Sequence, residues 1–309
     1  MRALVTGATG FIGSYLVARL VRDGADVAVL LRPGTDAWRI RELLPRVTRL
    51  DADLSELAAA EPSVASFAPD TVFHLAWHGV GNAAHHDIAQ IDANLHPTLE
   101  LVRLAGRIGC RTWIGLGSQA EYGPANCRLN ETAPTQPVTT YGVAKLCAGL
   151  LAERLATENE MRFAWLRVFS TYGPKDNPGW LLPYLIRTLL RGETPELTRC
   201  EQQWDYLYVE DAAEALCHVA NTPAARGVFN LGSGRTVSLR SVVERVRDLI
   251  DPRLSLGFGA QPYRPNQVMH LEADVTRLQS VTGWTARTPL EDGLKRTVDW
   301  HRSAEADIT

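Results

Sequence analysis

The chain has 309 residues, and its 32 Lys and Arg against 35 Asp and Glu give a net charge of −3. So small a charge argues against a surface for nucleic acid or another polyanion. With 45% hydrophobic and 22% charged residues, we expect a soluble globular protein of one large domain plus a smaller partner.

Short aliphatic or β-branched runs alternate with longer amphipathic runs through the first half of the chain. This alternation predicts βαβ units and a parallel sheet with helices on both faces. The predicted strands are Arg2–Thr6, Asp26–Leu31, Val47–Asp51, Thr71–Leu75, Thr112–Gly117 and Phe163–Val168. The predicted helices between them are Phe11–Asp23, Ser55–Phe67, Ile88–Ile108 and Tyr141–Asn159.

The second half of the chain is less regular, because Pro and Gly cluster between its shorter runs. Helices are predicted there at Leu181–Arg191, Val209–Asn221, Leu239–Ile250 and Pro289–Arg302. We interpret residues 170–309 mainly as a smaller lobe that closes over the C-terminal edge of a sheet formed by residues 1–169. Residues near 205–232 are expected to return to the larger domain.

A glycine-rich turn joins the first predicted strand to the first predicted helix, in the run Thr-Gly-Ala-Thr-Gly-Phe-Ile-Gly from Thr6 to Gly13. A tight turn there, and close approach of a pyrophosphate to backbone N–H groups, both need residues without a β-carbon. The helix N-terminus adds partial positive charge for the phosphates. We therefore predict a dinucleotide site on a Rossmann-like, doubly wound parallel α/β sheet. The alternative is a glycine-rich turn without a ligand.

Tyr141 and Lys145 form a Y-x-x-x-K pair at the start of a predicted helix, so that both side chains share one face. A free tyrosine has a pKa of about 10 and transfers protons poorly at neutral pH. A nearby ammonium favours the phenolate and lowers this pKa, which makes the pair a plausible acid/base unit.

Ser118 stands upstream of this pair, directly after the predicted strand Thr112–Gly117. Ligands of parallel sheets bind at the C-terminal ends of strands, so Ser118 and the glycine turn are expected at one edge. The order of glycine turn, Ser118 and Y-x-x-x-K resembles the short-chain dehydrogenase/reductase family. More narrowly, it is similar to the extended branch that contains nucleotide-sugar epimerases, dehydratases and 4-ketoreductases.

The resemblance continues along the chain and implies roles for individual residues. Ser118, Tyr141 and Lys145 would be catalytic. The cofactor would contact Gly7, Thr9, Gly10, Phe11, Ile12, Gly13, Arg32, Asp53, Leu54, Leu75 and Ala76, together with Tyr141 and Lys145. Further blocks that resemble the family are Asn94, Arg167–Pro174, Asp205-Tyr206 with Val209 and Asp211, Asn230–Gly234, Arg264-Pro265, Ala273-Asp274 and Gly283-Trp284.

Two departures from the family pattern bear on the substrate. Where 4,6-dehydratases typically carry Asp-Glu after the catalytic hydroxyl, this chain has Gln119 and Ala120, and neither exchanges protons. An arginine usual before the Asp-Tyr block is replaced by Trp204, which either stacks on a base or sugar or fills core. Arg264 then remains the best ligand for a diphosphate. We expect Gln119, Trp204 and Arg264 to contact the substrate.

The end of the second predicted strand bears on the cofactor. NAD-preferring relatives carry Asp or Glu there for the adenosine ribose, whereas this chain has Leu31 and then Arg32. Arg32 is available to pair with a 2′-phosphate, so NADP is predicted and NAD is less favoured.

We therefore expect an enzyme that reduces the 4-keto group of a nucleotide-linked 6-deoxyhexose with NADPH. The alternative is a nucleotide-sugar epimerase that oxidises and re-reduces one carbon with retained NAD, because the same three catalytic residues serve both. A third possibility is a redox-sensing binding protein, but the presence of the Tyr141/Lys145 pair argues against it.

Oligomeric state and location can also be predicted. Second apolar stripes on two predicted helices indicate a homodimer, and they comprise Leu146, Leu150, Leu151 and Leu155 with Ile91, Leu95, Leu99 and Val102. Five cysteines without a C-x-x-C pair indicate reduced thiols, and no secretion signal or spanning apolar run is present. We expect a cytoplasmic protein without a metal site, in which the adjacent His85 and His86 are solvated.

Overall fold

The computed structural model describes residues 1–265 and 267–306. Its strands are β1 (Arg2–Thr6), β2 (Asp26–Leu31), β3 (Thr48–Asp51), β4 (Thr71–His74), β5 (Thr112–Ser118), β6 (Arg128–Leu129), β7 (Arg162–Val168), β8 (Thr171–Tyr172), β9 (Glu196–Leu197), β10 (Gln203–Asp205), β11 (Leu207–Tyr208), β12 (Gly227–Leu231), β13 (Thr236–Ser238), β14 (Gly257–Phe258) and β15 (His270–Ala273). Its α-helices are α1 (Phe11–Arg22), α2 (Leu57–Phe67), α3 (His96–Arg107), α4 (Thr140–Glu158), α5 (Leu181–Leu190), α6 (Val209–Asn221), α7 (Leu239–Ile250), α8 (Thr276–Thr282) and α9 (Leu290–Ala306).

The main sheet has seven parallel strands in the order β12-β7-β5-β4-β1-β2-β3. The chain builds outward from β1 in one direction through β2 and β3, and then in the other through β4, β5, β7 and β12. This reversal of order opens a crevice at the C-terminal ends of β1 and β4. The predicted Rossmann-like α/β fold is confirmed.

Helices cover both faces of this sheet and explain why its central strands are largely apolar. Helices α1 and α6 bury one face, and helices α2, α3 and α4 bury the other. The run from Ala3 to Val5 is accordingly buried on both sides. A strand buried on both faces reads as a continuous hydrophobic run rather than as an alternating one.

The start of α3 differs from the prediction of one helix over Ile88–Ile108. The α-helix begins at His96, after a π-helical turn over Ile91–Leu95. Pro97 occupies the first turn of α3, where its missing N–H costs nothing, whereas deeper in a continuous helix its ring would clash with a carbonyl. The wider turn before it accommodates that constraint.

The second half of the chain forms smaller sheets around helices α5, α7 and α9. A four-stranded sheet has the order β13-β10-β15-β6, and two short pairs join β11 with β8 and β14 with β9. These strands have two to four residues each, too short for a hydrophobic pattern to predict them. Among the described residues, no helix is both long and apolar enough to cross a membrane.

One buried carboxylate connects several sequence blocks of this region. Asp205 accepts hydrogen bonds from the backbone N–H groups of Ser233 (2.7 Å), Gly234 (3.0 Å) and Ala273 (3.1 Å), and from the Ser233 hydroxyl (2.7 Å). Burial raises the pKa of this carboxyl, and the hydrogen bonds oppose the rise. The blocks around these residues therefore hold the smaller lobe to the end of β12.

Candidate active site

Every residue predicted to bind cofactor or substrate, or to act in catalysis, lines one cleft of about 1590 Å³ between the main sheet and the smaller lobe. The cleft opens at the C-terminal ends of the strands, as the reversal of strand order requires. Its lining includes Gly7, Thr9, Gly10, Phe11, Ile12, Gly13, Arg32, Asp53, Leu54, Leu75, Ala76, Ser118, Gln119, Tyr141, Lys145, Trp204 and Arg264.

The glycine turn is packed too closely for side chains at two positions. Gly7 has φ +72°, and a β-carbon there would lie 2.5 Å from the backbone nitrogen of Ala76 at the end of β4. A β-carbon on Gly13 would lie 2.0 Å from the carbonyl oxygen of Gly7. The turn therefore sits directly on the sheet, and the first-turn N–H groups of α1 lack intrahelical partners. These features suit the pyrophosphate of a dinucleotide, so the site fits such a cofactor.

At the end of β2, the structure places an exposed cation and no free carboxylate. The Arg32 guanidinium forms no hydrogen bond or ion pair with any residue that the structure describes, and it lies in the cleft near Asp53. Asp53 accepts hydrogen bonds from the N–H (2.9 Å) and hydroxyl (2.8 Å) of Ser55, which lower the pKa of its carboxyl. One oxygen of Asp53 is thus committed to a turn, which the sequence alone did not indicate.

Ser118 is the last residue of β5 and is held by a carboxylate that the sequence analysis did not single out. The Ser118 N–H donates to Glu121 Oε1 at 2.9 Å, while the Ser118 hydroxyl oxygen accepts from the Ala120 N–H at 3.2 Å. Glu121 is 1% exposed. It also accepts from Trp165 Nε1 (3.0 Å) and from Arg167 Nε (2.7 Å), so its charge is fully paired.

Tyr141 lies in the first turn of α4 with its phenol buried beside Ser118. Burial raises the pKa of Tyr141 to about 12; the Ser118 side chain opposes this rise and the charge of Glu121 adds to it. The sequence-based argument that Lys145 lowers this pKa does not hold here, because desolvation by burial dominates. At neutral pH the phenol holds its proton.

Lys145 follows one turn later on the same face of α4 and is 4% exposed. Its ammonium donates to the carbonyl oxygen of Leu116 at 2.8 Å and lies 3.7 Å from the centre of the Trp77 ring. Burial lowers the pKa of Lys145 to about 7, and the Glu121 charge works against that shift. Lys145 can therefore gain or lose a proton near neutral pH.

Two aromatic side chains from the segment after β4 flank Tyr141, and neither was predicted as a site residue. The Trp77 ring meets Tyr141 edge-on, with centroids 6.1 Å apart. The His85 ring stacks on it, with centroids 4.6 Å apart and planes 6° from parallel. His85 and His86 were expected to be solvated rather than to bind a metal; His86 is exposed, whereas the His85 ring is half-buried against Tyr141.

The substrate side of the cleft contains the remaining predicted residues. Gln119 and Ala120 follow Ser118 in a short 3₁₀ turn, so no acid or base stands at those positions. Trp204 is half-buried: it packs against the cluster around Tyr122 and Phe169 and also lines the cleft. Arg264 is exposed at the rim. Within residues 1–265 and 267–306, no group of three His, Cys, Asp or Glu side chains is placed to bind a metal.

A sequence model of the NAD dependent epimerase/dehydratase family matches residues 3–232. Among curated proteins, the UDP-glucose 4-epimerase of Mycolicibacterium smegmatis is 27% identical over 98% of this chain and 99% of its own length. The dTDP-glucose 4,6-dehydratase 1 of Escherichia coli is also 27% identical, over 98% of this chain and 93% of its own length.

Solved structures give the same picture. MoeE5 in complex with UDP-glucose and NAD is 32% identical to this chain and superposes with a TM-score of 0.84. The match covers 99% of this chain and 100% of MoeE5. These matches confirm the resemblance to the extended short-chain dehydrogenase/reductase family and the prediction of an NAD(P)-dependent enzyme.

The paired charge of Glu121 predicts a large loss of stability when it is removed. Replacement of Glu121 by Gln leaves the buried Arg167 guanidinium without its counter-charge, so we expect the free energy of unfolding to fall by about 3–5 kcal/mol. Chemical denaturation of purified protein measures this change. Glu100→Gln is the control, since Glu100 pairs with Arg103 on the surface and such pairs contribute at most about 1 kcal/mol. Equal effects of the two substitutions would contradict the role of Glu121.

Proposed function

This chain belongs to the NAD dependent epimerase/dehydratase family, and we propose that it reduces the 4-keto group of a nucleotide-linked 4-keto-6-deoxyhexose with NADPH. The observation that carries the proposal is the exposed Arg32 at the end of β2, a cation that lines the cleft where NAD-preferring relatives carry a carboxylate. Burial also raises the pKa of Tyr141 to about 12, which suits a proton donor. The neighbouring Gln119 and Ala120 offer no other acid or base.

The proposed roles follow from the geometry of Ser118, Tyr141 and Lys145. A nicotinamide cofactor, when bound, supplies the hydride that adds to the ketone carbon. Ser118 holds the ketone oxygen by a hydrogen bond, and Tyr141 gives that oxygen its phenolic proton, which completes the alcohol. The ammonium of Lys145 stabilises the phenolate that remains. Because its pKa is about 7, Lys145 also suits the return of a proton to Tyr141.

The two lobes divide the binding task in this proposal. Residues 1–169, with the return near 205–232, hold the cofactor, and residues 170–309 mainly hold the substrate. Arg264 pairs with the diphosphate, and the exposed face of Trp204 stacks on the base or sugar. All five cysteines are free thiols, which supports a reducing, cytoplasmic location.

The second candidate is a nucleotide-sugar 4-epimerase with retained NAD. It is supported by the epimerase of M. smegmatis and by the complex of MoeE5 with UDP-glucose and NAD. Oxidation of the sugar needs a phenolate at Tyr141, and the positive charge of an oxidised nicotinamide would favour that form. A 4,6-dehydratase, despite the match to the E. coli enzyme, is disfavoured by Gln119 and Ala120.

The assay that separates these functions mixes purified protein with a panel of nucleotide sugars and their 4-keto-6-deoxy forms. NADPH loss in step with alcohol formation identifies the reductase. Inversion at one sugar carbon without net change in cofactor identifies the epimerase, and formation of a 4-keto-6-deoxy sugar from a nucleotide hexose identifies the dehydratase. Absence of all three reactions across the panel would refute the proposal.

Tyr141→Phe is expected to lower turnover in this assay by at least about 100-fold, because the ring remains and only the transferable proton is lost. Affinity for the cofactor should largely persist, as measured by quenching of protein fluorescence on titration. Tyr208→Phe serves as the control and should keep wild-type turnover, since Tyr208 is on β11 and is not part of the cleft lining. Near-wild-type turnover in the Tyr141 variant would exclude it as the proton donor.

Arg32→Ala is expected to remove a preference for NADP over NAD. A guanidinium–phosphate pair contributes about 1.5–3 kcal/mol, which corresponds to a preference of roughly 10- to 150-fold. Dissociation constants for both cofactors, measured in wild type and variant, test this. Arg41→Ala is the control, because Arg41 is exposed outside the cleft lining. If wild type binds NAD as tightly as NADP, the assignment of Arg32 fails and the epimerase gains support.

We also propose a homodimer formed through helix α4. The residues of the two predicted apolar stripes differ in their exposure. Val102 is buried, and Leu95 and Leu155 pack against the same core. Leu150 and Leu151, by contrast, are 59% and 44% exposed. Two leucines on one exposed helix face suit burial against a second copy of the helix.

Leu150→Glu is expected to convert a dimer into a monomer, because two buried carboxylates would face each other across the interface. Light scattering at micromolar concentration measures the mass. Val138→Glu is the control, since Val138 is similarly exposed but precedes α4. A monomeric wild type would contradict the dimer directly.

A further inference from the structure

His85 is the closest aromatic neighbour of the Tyr141 ring, and no step of the proposed reaction uses it. Its ring plane lies within 6° of the Tyr141 ring plane, with centroids 4.6 Å apart. On the phenol's other flank, the Trp77 ring stands at 87° to it. The phenol is thus enclosed by two rings from the segment between β4 and α3.

The backbone of the same residue is fixed to the helix that carries Tyr141. The His85 carbonyl oxygen accepts the Tyr141 N–H at 2.9 Å. That N–H lies in the first turn of α4, where helical N–H groups have no intrahelical acceptor. Ring and backbone of His85 therefore both contact Tyr141, and the stack cannot slide without breaking the hydrogen bond.

The His85 ring is also fixed on its far side. Its Nε2 lies 3.0 Å from the Val80 carbonyl oxygen. A carbonyl only accepts, so Nε2 carries the hydrogen, and Nδ1 is the bare nitrogen of the neutral ring. The charged or titratable groups near this ring are Tyr141 beneath it, His86 beside it and Arg264 across the cleft.

Buried polar side chains make the segment that carries Trp77 and His85 rigid. The Gln90 amide accepts from Trp77 Nε1 at 2.8 Å and donates to the carbonyl oxygens of Gly79 (2.8 Å) and Ala84 (3.1 Å). Asn94 closes the base of the segment through two hydrogen bonds with the backbone of His78. The two flanking rings are therefore held by the protein, independently of any ligand.

We propose that His85 is a positioning residue for Tyr141: its imidazole ring stacks on the phenol and holds the hydroxyl in place beside Ser118. The expected effect on kcat rests on the proposed function, whereas the stacking of the His85 ring on Tyr141 does not. Stacking is what the role requires, so a phenylalanine at position 85 should replace the histidine, whereas an alanine should not.

The kinetic test compares His85→Ala, His85→Phe and His86→Ala. In His85→Ala we expect kcat to fall about 10- to 100-fold with KM nearly unchanged, because a displaced phenol affects the proton-transfer step rather than binding. His85→Phe should retain most of the wild-type kcat. His86→Ala is the matched control, since His86 is the exposed neighbour, and it should behave as wild type. A fall in kcat that is equal in the Ala and Phe variants would overturn the stacking role.

A substrate-free measurement separates this inference from the proposed function. Protein labelled with ¹³C in its tyrosine rings gives a Tyr141 signal, which Tyr141→Phe identifies. The stacked imidazole should shift this signal in wild type, and the shift should disappear in His85→Ala. In wild type the signal should also follow one protonation, with a midpoint below the usual histidine value of about 6.5, because burial lowers the pKa of His85. That titration should be absent from His85→Phe and should persist in His86→Ala, with a somewhat higher midpoint because the charge of His86 no longer lowers the pKa of His85.

The outcomes are distinguishable. Loss of the ring shift in His85→Ala, in a protein that turns over no nucleotide sugar, would support the stack and refute the proposed function. A Tyr141 signal that is the same in wild type and His85→Ala would refute the positioning role, whatever the enzyme catalyses.

Discussion

The site depends on one buried ion pair, between the Glu121 carboxylate and the Arg167 guanidinium. Glu121 belongs to the 3₁₀ turn after β5, and Arg167 lies near the end of β7. Their 2.7 Å contact joins two adjacent strands just below the cleft. The same carboxylate fixes the Ser118 backbone and the Trp165 indole, so the end of β5 has one available conformation. Removing either partner would leave a bare charge in the interior, which is among the costliest changes a fold can suffer.

The packing around Trp165 shows why this arrangement uses glycines. A β-carbon on Gly115 or Gly117 would lie within 2.4 Å of the Trp165 ring, and one on Gly149 of helix α4 would lie 2.9 Å from it. The Trp165 indole is thus packed tightly between β5 and α4. Because α4 also carries Tyr141 and Lys145, the ring that donates to Glu121 also sets the distance of these two side chains from the sheet.

Much of the fold and of the candidate site could be predicted from the sequence, wherever a hydrophobic pattern extends over a whole element. The boundaries of β1, β2, α6 and α7 agree with the predicted runs, because long apolar periods report burial directly. The grouping of Ser118, Tyr141 and Lys145 beside the glycine turn followed from strand ends that share one edge. The short strands of the smaller lobe could not be predicted, because two to four residues carry no period.

The residues that surround Tyr141 were missed for a different reason. Trp77, His85 and Glu121 matter through contacts between segments far apart in the chain, and a single sequence holds no record of such contacts. His85 was interpreted as solvated because histidines beside each other in a polar segment usually are. Glu121 follows Ser118 by three residues, but only the fold places Arg167 and Trp165 against it.

Burial acts differently on paired and unpaired groups of this site, and that difference bears on the chemistry. Glu121 and Arg167 form an ion pair at 2.7 Å. Lys145 and His74 lack a paired counter-charge, and burial lowers their pKa values to about 7 and about 3. His74 is thereby kept as a neutral bridge between the hydroxyls of Thr6 and Thr98. Tyr141 is held as a neutral phenol by the same desolvation. A cleft that suppresses unpaired charge favours a residue that gives up a proton only as negative charge develops on the substrate oxygen.

In such a cleft, the direction of reaction depends on the charge that the bound cofactor brings. Beside a neutral nicotinamide Tyr141 would remain an acid, and beside a cationic one its pKa would fall toward that of a base. The arrangement of Ser118, Tyr141 and Lys145 is therefore compatible with both candidate functions.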